Sequence, residues 1–151
     1  MIHNSNLVGH DNIFKTFSEL YSKKKLPNKI LLNGKKGIGK SLIINKLLNF
    51  IYKTEKNNKS IFEKNINPNI AYVSKKIDKN VVDVAQIREI INFQNLSSFN
   101  DEPKSIVIDD LEFLNINAIN SLLKNLEEPG ENTFFFLIKN SKKKILKTVK
   151  T

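Results

Sequence analysis

A chain of 151 residues is the length of one domain, and a domain of that size buries about 70% of the surface its unfolded chain exposes. The absence of cysteine excludes disulfides, thiolate zinc sites and thiol chemistry, and no apolar run approaches the roughly 18 residues a membrane helix needs. The net charge of +10 suggests an anionic partner, nucleic acid first, although Lys supplies all of the 25 basic residues except Arg88 and simply coats solvated surfaces in a chain this rich in Asn, Ile and Lys.

Taken in chain order, helical and strand periodicities alternate. Met1-Ile2-His3-Asn4 has no basic stretch leading into an apolar run, so no signal peptide is expected and the location expected is cytoplasmic. Residues 11–24 place Ile13, Phe14, Phe17, Leu20 and Tyr21 on one helical face, with Asp11 as the expected N-cap. After Pro27, residues 29–33 read as a short buried strand, and helical spacing returns over 41–52 through Leu42, Ile43, Leu47, Leu48 and Ile51. Residues 53–69 are polar and irregular, and 70–74 read as a second strand. Asp83 is placed to cap a third helix running to about Gln94, with Val84, Ile87, Ile90 and Ile91 inward. A loop over 97–104 leads to the β-branched strand Ser105-Ile106-Val107-Ile108-Asp109. A fourth helix over 117–127 buries Ile119, Leu122, Leu123 and Leu126 and is stopped by Pro129. A fourth strand over 133–138 and a last helix over 141–149 complete the pattern. Buried-type strands alternating with amphipathic helices imply an α/β fold with a mainly parallel sheet and right-handed crossovers, in one domain without internal repeats.

Two segments carry chemistry. Gly34-Lys35-Lys36-Gly37-Ile38-Gly39-Lys40-Ser41 matches G-x-x-x-x-G-K-[ST] in full, and it lies where that motif must lie, between a strand and a helix. Its glycines let backbone N–H groups turn inward as an anion cradle at a helix N-terminus. Lys40 can reach the outer phosphates of a nucleotide and the Ser41 hydroxyl can ligate Mg²⁺. The second segment is Ile106-Val107-Ile108-Asp109-Asp110, where a carboxylate at the tip of a buried strand can hold the magnesium through its water shell. Asp109 is the candidate for that role. Asp110 stands where many ATPases carry a water-polarising Glu, one methylene longer, and a turn or capping role suits it equally well.

Asn117-Ala118-Ile119-Asn120-Ser121-Leu122-Leu123-Lys124-Asn125-Leu126-Glu127-Glu128-Pro129 resembles the N-A-L-L-K-x-L-E-E-P signature of bacterial clamp-loader subunits of the AAA+ type, with Asn120 in register and Ser121 in place of Ala. Leu7-Val8-Gly9-His10 is similar to the box of that family that touches adenine, so Val8 and Gly9 are expected at the nucleotide. Leu26-Pro27-Asn28-Lys29 resembles the family's approach to the phosphate loop. Ile87-Arg88-Glu89-Ile90 is similar to the helix whose arginine faces DNA, and Phe134-Phe135-Phe136-Leu137-Ile138-Lys139-Asn140 resembles the sensor-1 strand, with Asn140 as its polar residue. The resemblance extends from Leu7 to Thr151.

The resemblance implies a P-loop NTPase core with strand order fifth, first, fourth, third, second, of which the chain supplies the first four, so the phosphate-loop strand should form an edge. It implies ATP and Mg²⁺ as cofactors, and as partners other clamp-loader subunits in a hetero-oligomeric ring, the sliding clamp and primer–template DNA. Three departures shape the expectation. The four-cysteine zinc module of many such subunits would fall near residues 53–69, where there is no Cys. Asp110 replaces the Glu of a hydrolysing subunit, which favours a delta-prime-like scaffold over a gamma/tau-type motor. Leu146-Lys147-Thr148-Val149-Lys150-Thr151 resembles the lead-in to the family's arginine finger, so the chain is expected to be an amino-terminal portion lacking the finger, the lid and the collar. The rival readings are an ATP-hydrolysing motor of gamma/tau type, an unrelated P-loop NTPase, and a basic DNA-binding module with a vestigial loop.

Overall fold

The computed structural model describes residues 2–35, 39–54, 61 and 67–140, with the side chains of residues 2–10 left out. Four strands form one parallel sheet: β1 (Lys29–Asn33), β2 (Ile70–Val73), β3 (Lys104–Ile108) and β4 (Thr133–Lys139), in the spatial order β1-β4-β3-β2. Four helices connect and flank them: α1 (Ile2–Ser22), α2 (Lys40–Ile51), α3 (Val84–Asn95) and α4 (Ile116–Glu127). β1 is an edge strand among the described residues, as the strand order expected from the resemblance requires.

Alternation along the central strands sorts the core into two layers. Val107, Phe136 and Ile138 point to one face and pack with Ile44, Leu47 and Leu48 of α2 and with the partly buried Phe14, Phe17 and Tyr21 of α1. Ile106, Ile108, Phe135 and Leu137 point to the other, against Ile87 and Ile90 of α3 and Ile119, Leu122 and Leu126 of α4. β3 is buried at every position, in keeping with the β-branched run Ile106-Val107-Ile108 that ends it. Each fully buried Leu, Ile or Phe contributes about 1.5–3 kcal/mol relative to exposure, so these two layers dominate the stability.

Local chemistry sets the helix ends. Asp83 accepts the Gln86 N–H at 3.0 Å while the Gln86 side chain accepts the Asp83 N–H at 3.0 Å, a reciprocal capping box that starts α3. Asn115 caps α4 by accepting the Ala118 N–H at 2.9 Å. The C-terminal carbonyls are met by lysines from the sheet: Lys29 donates to the Leu126 carbonyl of α4 at 2.9 Å. Lys104 donates to the carbonyls of Phe93 at 2.6 Å and Gln94 at 3.2 Å, and to that of Leu96. A cation at a helix C-terminus also meets the negative end of the dipole.

The first helix differs from its expected start. Asp11 is no N-cap: α1 begins at Ile2, and Asp11 lies inside it, 3.5 Å from the Lys46 ammonium. No proline lies between Ile2 and Lys25, and Gly9 costs only about 1 kcal/mol against Ala inside a helix, so nothing in the sequence stops the hydrogen-bond ladder at Asp11. Lys104, expected in a loop, begins β3. The helix expected over 141–149 lies outside the described residues.

Replacing Lys104 with Met leaves three helix-end carbonyls without their shared donor. Urea unfolding of Lys104→Met is expected to show a loss of about 1–3 kcal/mol, and an unchanged midpoint would show that those carbonyls find other partners.

Candidate nucleotide site

Parallel pairing brings the C-terminal ends of all four strands to one side of the sheet, and the two sequence segments meet there. Past the end of β1, the Gly34 N–H donates to the carbonyl of Lys139, the last residue of β4, at 3.2 Å. The loop re-enters regular structure at Gly39, whose φ of 91° is open to glycine and strained for any other residue. Gly39 caps α2 without a side-chain acceptor, so the first-turn N–H groups keep their capacity for an anion. Lys36, Gly37 and Ile38 lie outside the described residues, and of Val8 and Gly9 only the helical backbone of α1 is described.

Lys40 is buried and turned back on its own loop, its ammonium donating to the carbonyls of Gly34 at 2.8 Å and Lys35 at 2.6 Å. Burial pulls its pKa below the ordinary lysine value, and the charges of Asp109 and Glu112 oppose that shift. A cavity of about 480 Å³ opens beside it, with Gly39, Lys40, Ser41, Asp109, Asp110 and Asn140 among its walls. The two motifs, 68 residues apart from Ser41 to Asp109, thus face one space.

Asp109 is held at the tip of β3 by its N–H, which donates to the Val73 carbonyl of β2 at 2.8 Å. Its Oδ1 accepts the Asp110 N–H at 2.8 Å and the Asn140 side-chain amide, and its Oδ2 accepts the Tyr72 hydroxyl at 2.8 Å. Asn140, the residue expected to act as sensor-1, thus touches the carboxylate on the neighbouring strand. Asp110 adopts a left-handed conformation, φ 54° and ψ 42°, which Asp tolerates better than most residues. Its carboxylate accepts the Lys75 N–H at 3.1 Å and the Asn140 amide at 3.3 Å. Both of its oxygens are engaged in joining the exit of β2 to the ends of β3 and β4.

Ser41 and Asp109 fit a magnesium ion of the phosphate-bridged kind. Mg²⁺ keeps several waters and takes one or two protein oxygens beside phosphates rather than a full protein cage, and a hydroxyl and a carboxylate facing one cavity are that donor set. Among the described residues no cluster of three or more His, Cys, Asp or Glu could hold a metal alone.

Sequence reasoning missed two participants. Tyr72 reaches the site from β2, and buried Glu112 accepts the Asn140 backbone N–H at 3.1 Å. The signal for Glu112 was its place just beyond the Asp pair; Tyr72 carried none, since a tyrosine in a half-buried strand reads as packing. Arg88 lies on the exposed face of α3, away from the cavity walls. A larger cavity of about 1000 Å³, with Tyr21, Phe50 and Phe134 among its walls, contains none of the nucleotide-motif residues.

Comparison with known proteins identifies relatives of this chain. The family model described as DNA polymerase III, delta subunit, matches residues 9–151. DNA polymerase III subunit delta′ of Pseudomonas aeruginosa is 34% identical over 68 residues, covering 45% of this chain and 21% of the relative. Subunit gamma of Buchnera aphidicola (subsp. Schizaphis graminum) is 30% identical over 166 residues, covering 96% of this chain and 42% of the relative. The crystal structure of a gamma subunit-related protein from Thermotoga maritima superposes with a TM-score of 0.69 and 22% identity, over 91% of this chain and 42% of that one, a likeness of fold. The chain spans less than half the length of each of these relatives.

The anchoring of Asp110 has a measurable consequence. Asp110→Ala should lose about 2 kcal/mol in urea unfolding, through the freed Lys75 N–H and the left-handed backbone together. Asp110→Gly, which relieves the backbone, should lose about 1 kcal/mol less than Ala. Equal losses for the two variants would show that the backbone conformation carries no strain.

Proposed function

We propose, on the premise that this chain belongs to the DNA polymerase III delta subunit family, that it binds Mg-ATP on the Gly34–Ser41 loop and serves a clamp loader as a delta-prime-like scaffold. The observation that carries the scaffold reading is the tethering of Asp110. A residue that polarises an attacking water must be aimed at the nucleotide, and the Asp110 carboxylate is instead oriented by the Lys75 N–H and the Asn140 amide, one on each oxygen. Its side chain is also one methylene shorter than the Glu of hydrolysing ATPases.

The division of labour follows from the contacts. Gly39 gives the chain its turn into α2, whose open N-terminus is suited to a phosphate. Lys40 exchanges the Gly34 and Lys35 carbonyls for phosphate oxygens, and the added negative charge reverses the downward pull that burial exerts on its pKa. Ser41 and Asp109 would hold a magnesium ion, which would supply charge neutralisation at the outer phosphates. Asn140 joins Asp109 to the end of β4, where a sensor of the outer phosphate would stand. Beyond this chain, the proposed partners are further loader subunits, the sliding clamp and primer–template DNA.

A gamma/tau-type motor is the second reading, favoured by the gamma subunit relative whose likeness runs over 96% of the chain. Fast turnover would overturn the scaffold reading. An arginine finger accelerates related phosphoryl transfers by roughly 10³–10⁵, and Arg88, the sole arginine of the sequence, lies on the exposed face of α3, outside the cavity walls. The purified chain should bind a fluorescent ATP analogue saturably, and Lys40→Ala should abolish that binding; equal binding by the variant would sink the assignment of the loop. Its steady hydrolysis should stay far below about one turnover per second, and a rate on that scale would favour the motor.

Arg88 is proposed to face DNA in the assembled loader. Its guanidinium is on an exposed helix face and makes no ion pair among the described residues. Arg88→Ala should weaken primer–template binding and reduce the slope of log K against log salt by about one. An unchanged slope would remove Arg88 from the DNA surface.

A further inference from the structure

Asp109 is more fully engaged than a carboxylate waiting for a metal shell needs to be. Its two oxygens offer about four acceptor directions. Oδ1 takes the Asp110 N–H at 2.8 Å and the Asn140 amide. Both acceptor directions of Oδ1 are thus filled. Capacity for a further donor therefore lies on Oδ2, and there the Tyr72 hydroxyl donates at 2.8 Å.

Tyr72 is delivered to that oxygen by the sheet. It pairs in register with Val107 of β3, and its side chain packs against the α2-side core with Val107 and Phe136. It lines the same cavity as Lys40 and Ser41. A magnesium ion beside Ser41 retains several waters, and those waters also donate to Asp109.

We propose that Tyr72 is a positioning residue that competes with the metal: its hydroxyl holds Asp109 Oδ2 while the site is empty of metal and must yield or share that oxygen when Mg²⁺ arrives with nucleotide. Tyr72 thereby sets the magnesium concentration at which the site accepts the nucleotide. This rests on the reading of the Gly34–Ser41 loop as the Mg-ATP site.

The test is a magnesium titration of fluorescent ATP-analogue binding to the whole 151-residue chain, unaltered and as Tyr72→Phe, with a parallel measurement in EDTA. Tyr72→Phe keeps the ring and removes the competitor, so half-saturating Mg²⁺ should fall roughly three- to tenfold. Affinity for the metal-free analogue should stay within about twofold, since the hydroxyl meets the metal's carboxylate and not the phosphate loop. Tyr72→Met, which fills similar volume without a hydroxyl, should shift half-saturation the same way, with circular-dichroism melting to confirm both folds. An unchanged or increased magnesium requirement, with binding in EDTA intact, overturns the role of Tyr72 alone. Failure of the unaltered chain to bind the analogue with or without magnesium overturns the nucleotide reading and the Tyr72 proposal together.

Discussion

The pairing of β4 with β1 on one side and β3 on the other is the constraint on which the site depends. One intervening strand sets β1 and β3 roughly 10 Å apart, close enough for Lys40 and the Asp109 carboxylate to line one cavity and too far for the two segments to collapse on each other. The registers Asn33↔Lys139 and Ile108↔Leu137 bring the three strands to a common rim. β4 also ends in the residue that joins the two halves, since Lys139 accepts the Gly34 N–H and Asn140 donates to Asp109. Slipping β4 by one residue would turn Phe135 and Phe136 onto the wrong faces. The same hydrophobic pattern that fills the core therefore sets the alignment of the site.

Much of the fold was legible because its signals are local. Burial on both faces is written into the unbroken apolar run Phe134 through Ile138, and the capping of α3 into Asp83 and Gln86, three residues apart. The Gly34–Ser41 motif stood out for the same reason, its spacing being contained in one short segment. What escaped the sequence depends on distant partners. The start of α1 was misplaced because Asp11 has the chemistry of a cap, while the helix continues through it to Ile2. Tyr72 and Asp109 are 37 positions apart and meet only through strand pairing. Asp110 could be either a catalytic acid or a turn residue on its type alone, and its backbone conformation with the Lys75 contact gives it a structural task in this state.

The lysines divide into two populations that a net charge cannot separate. Lys40, Lys104 and Lys139 are buried, and Lys104 spends its charge on helix-end carbonyls, as the exposed Lys29 also does. Such cations answer the chain's own dipoles. Those on outer surfaces, with Arg88, are the ones available to a polyanion. The +10 of the sequence thus overstates the charge a partner would meet at short range.

Lys104 has one more consequence. Its ammonium fastens the last turn of α3 to the first residue of β3, while Gln86 fastens the first turn of α3 to the Ser74 carbonyl at 2.8 Å. The helix is therefore bolted at both ends to the two strands that bear Tyr72 and Asp109, with Arg88 on the outward face between the bolts. It behaves as a stiff beam: a load applied to its outer surface reaches the sheet as a rigid tilt of helix and strands together, because bending the helix alone would first have to tear out one of its end fastenings.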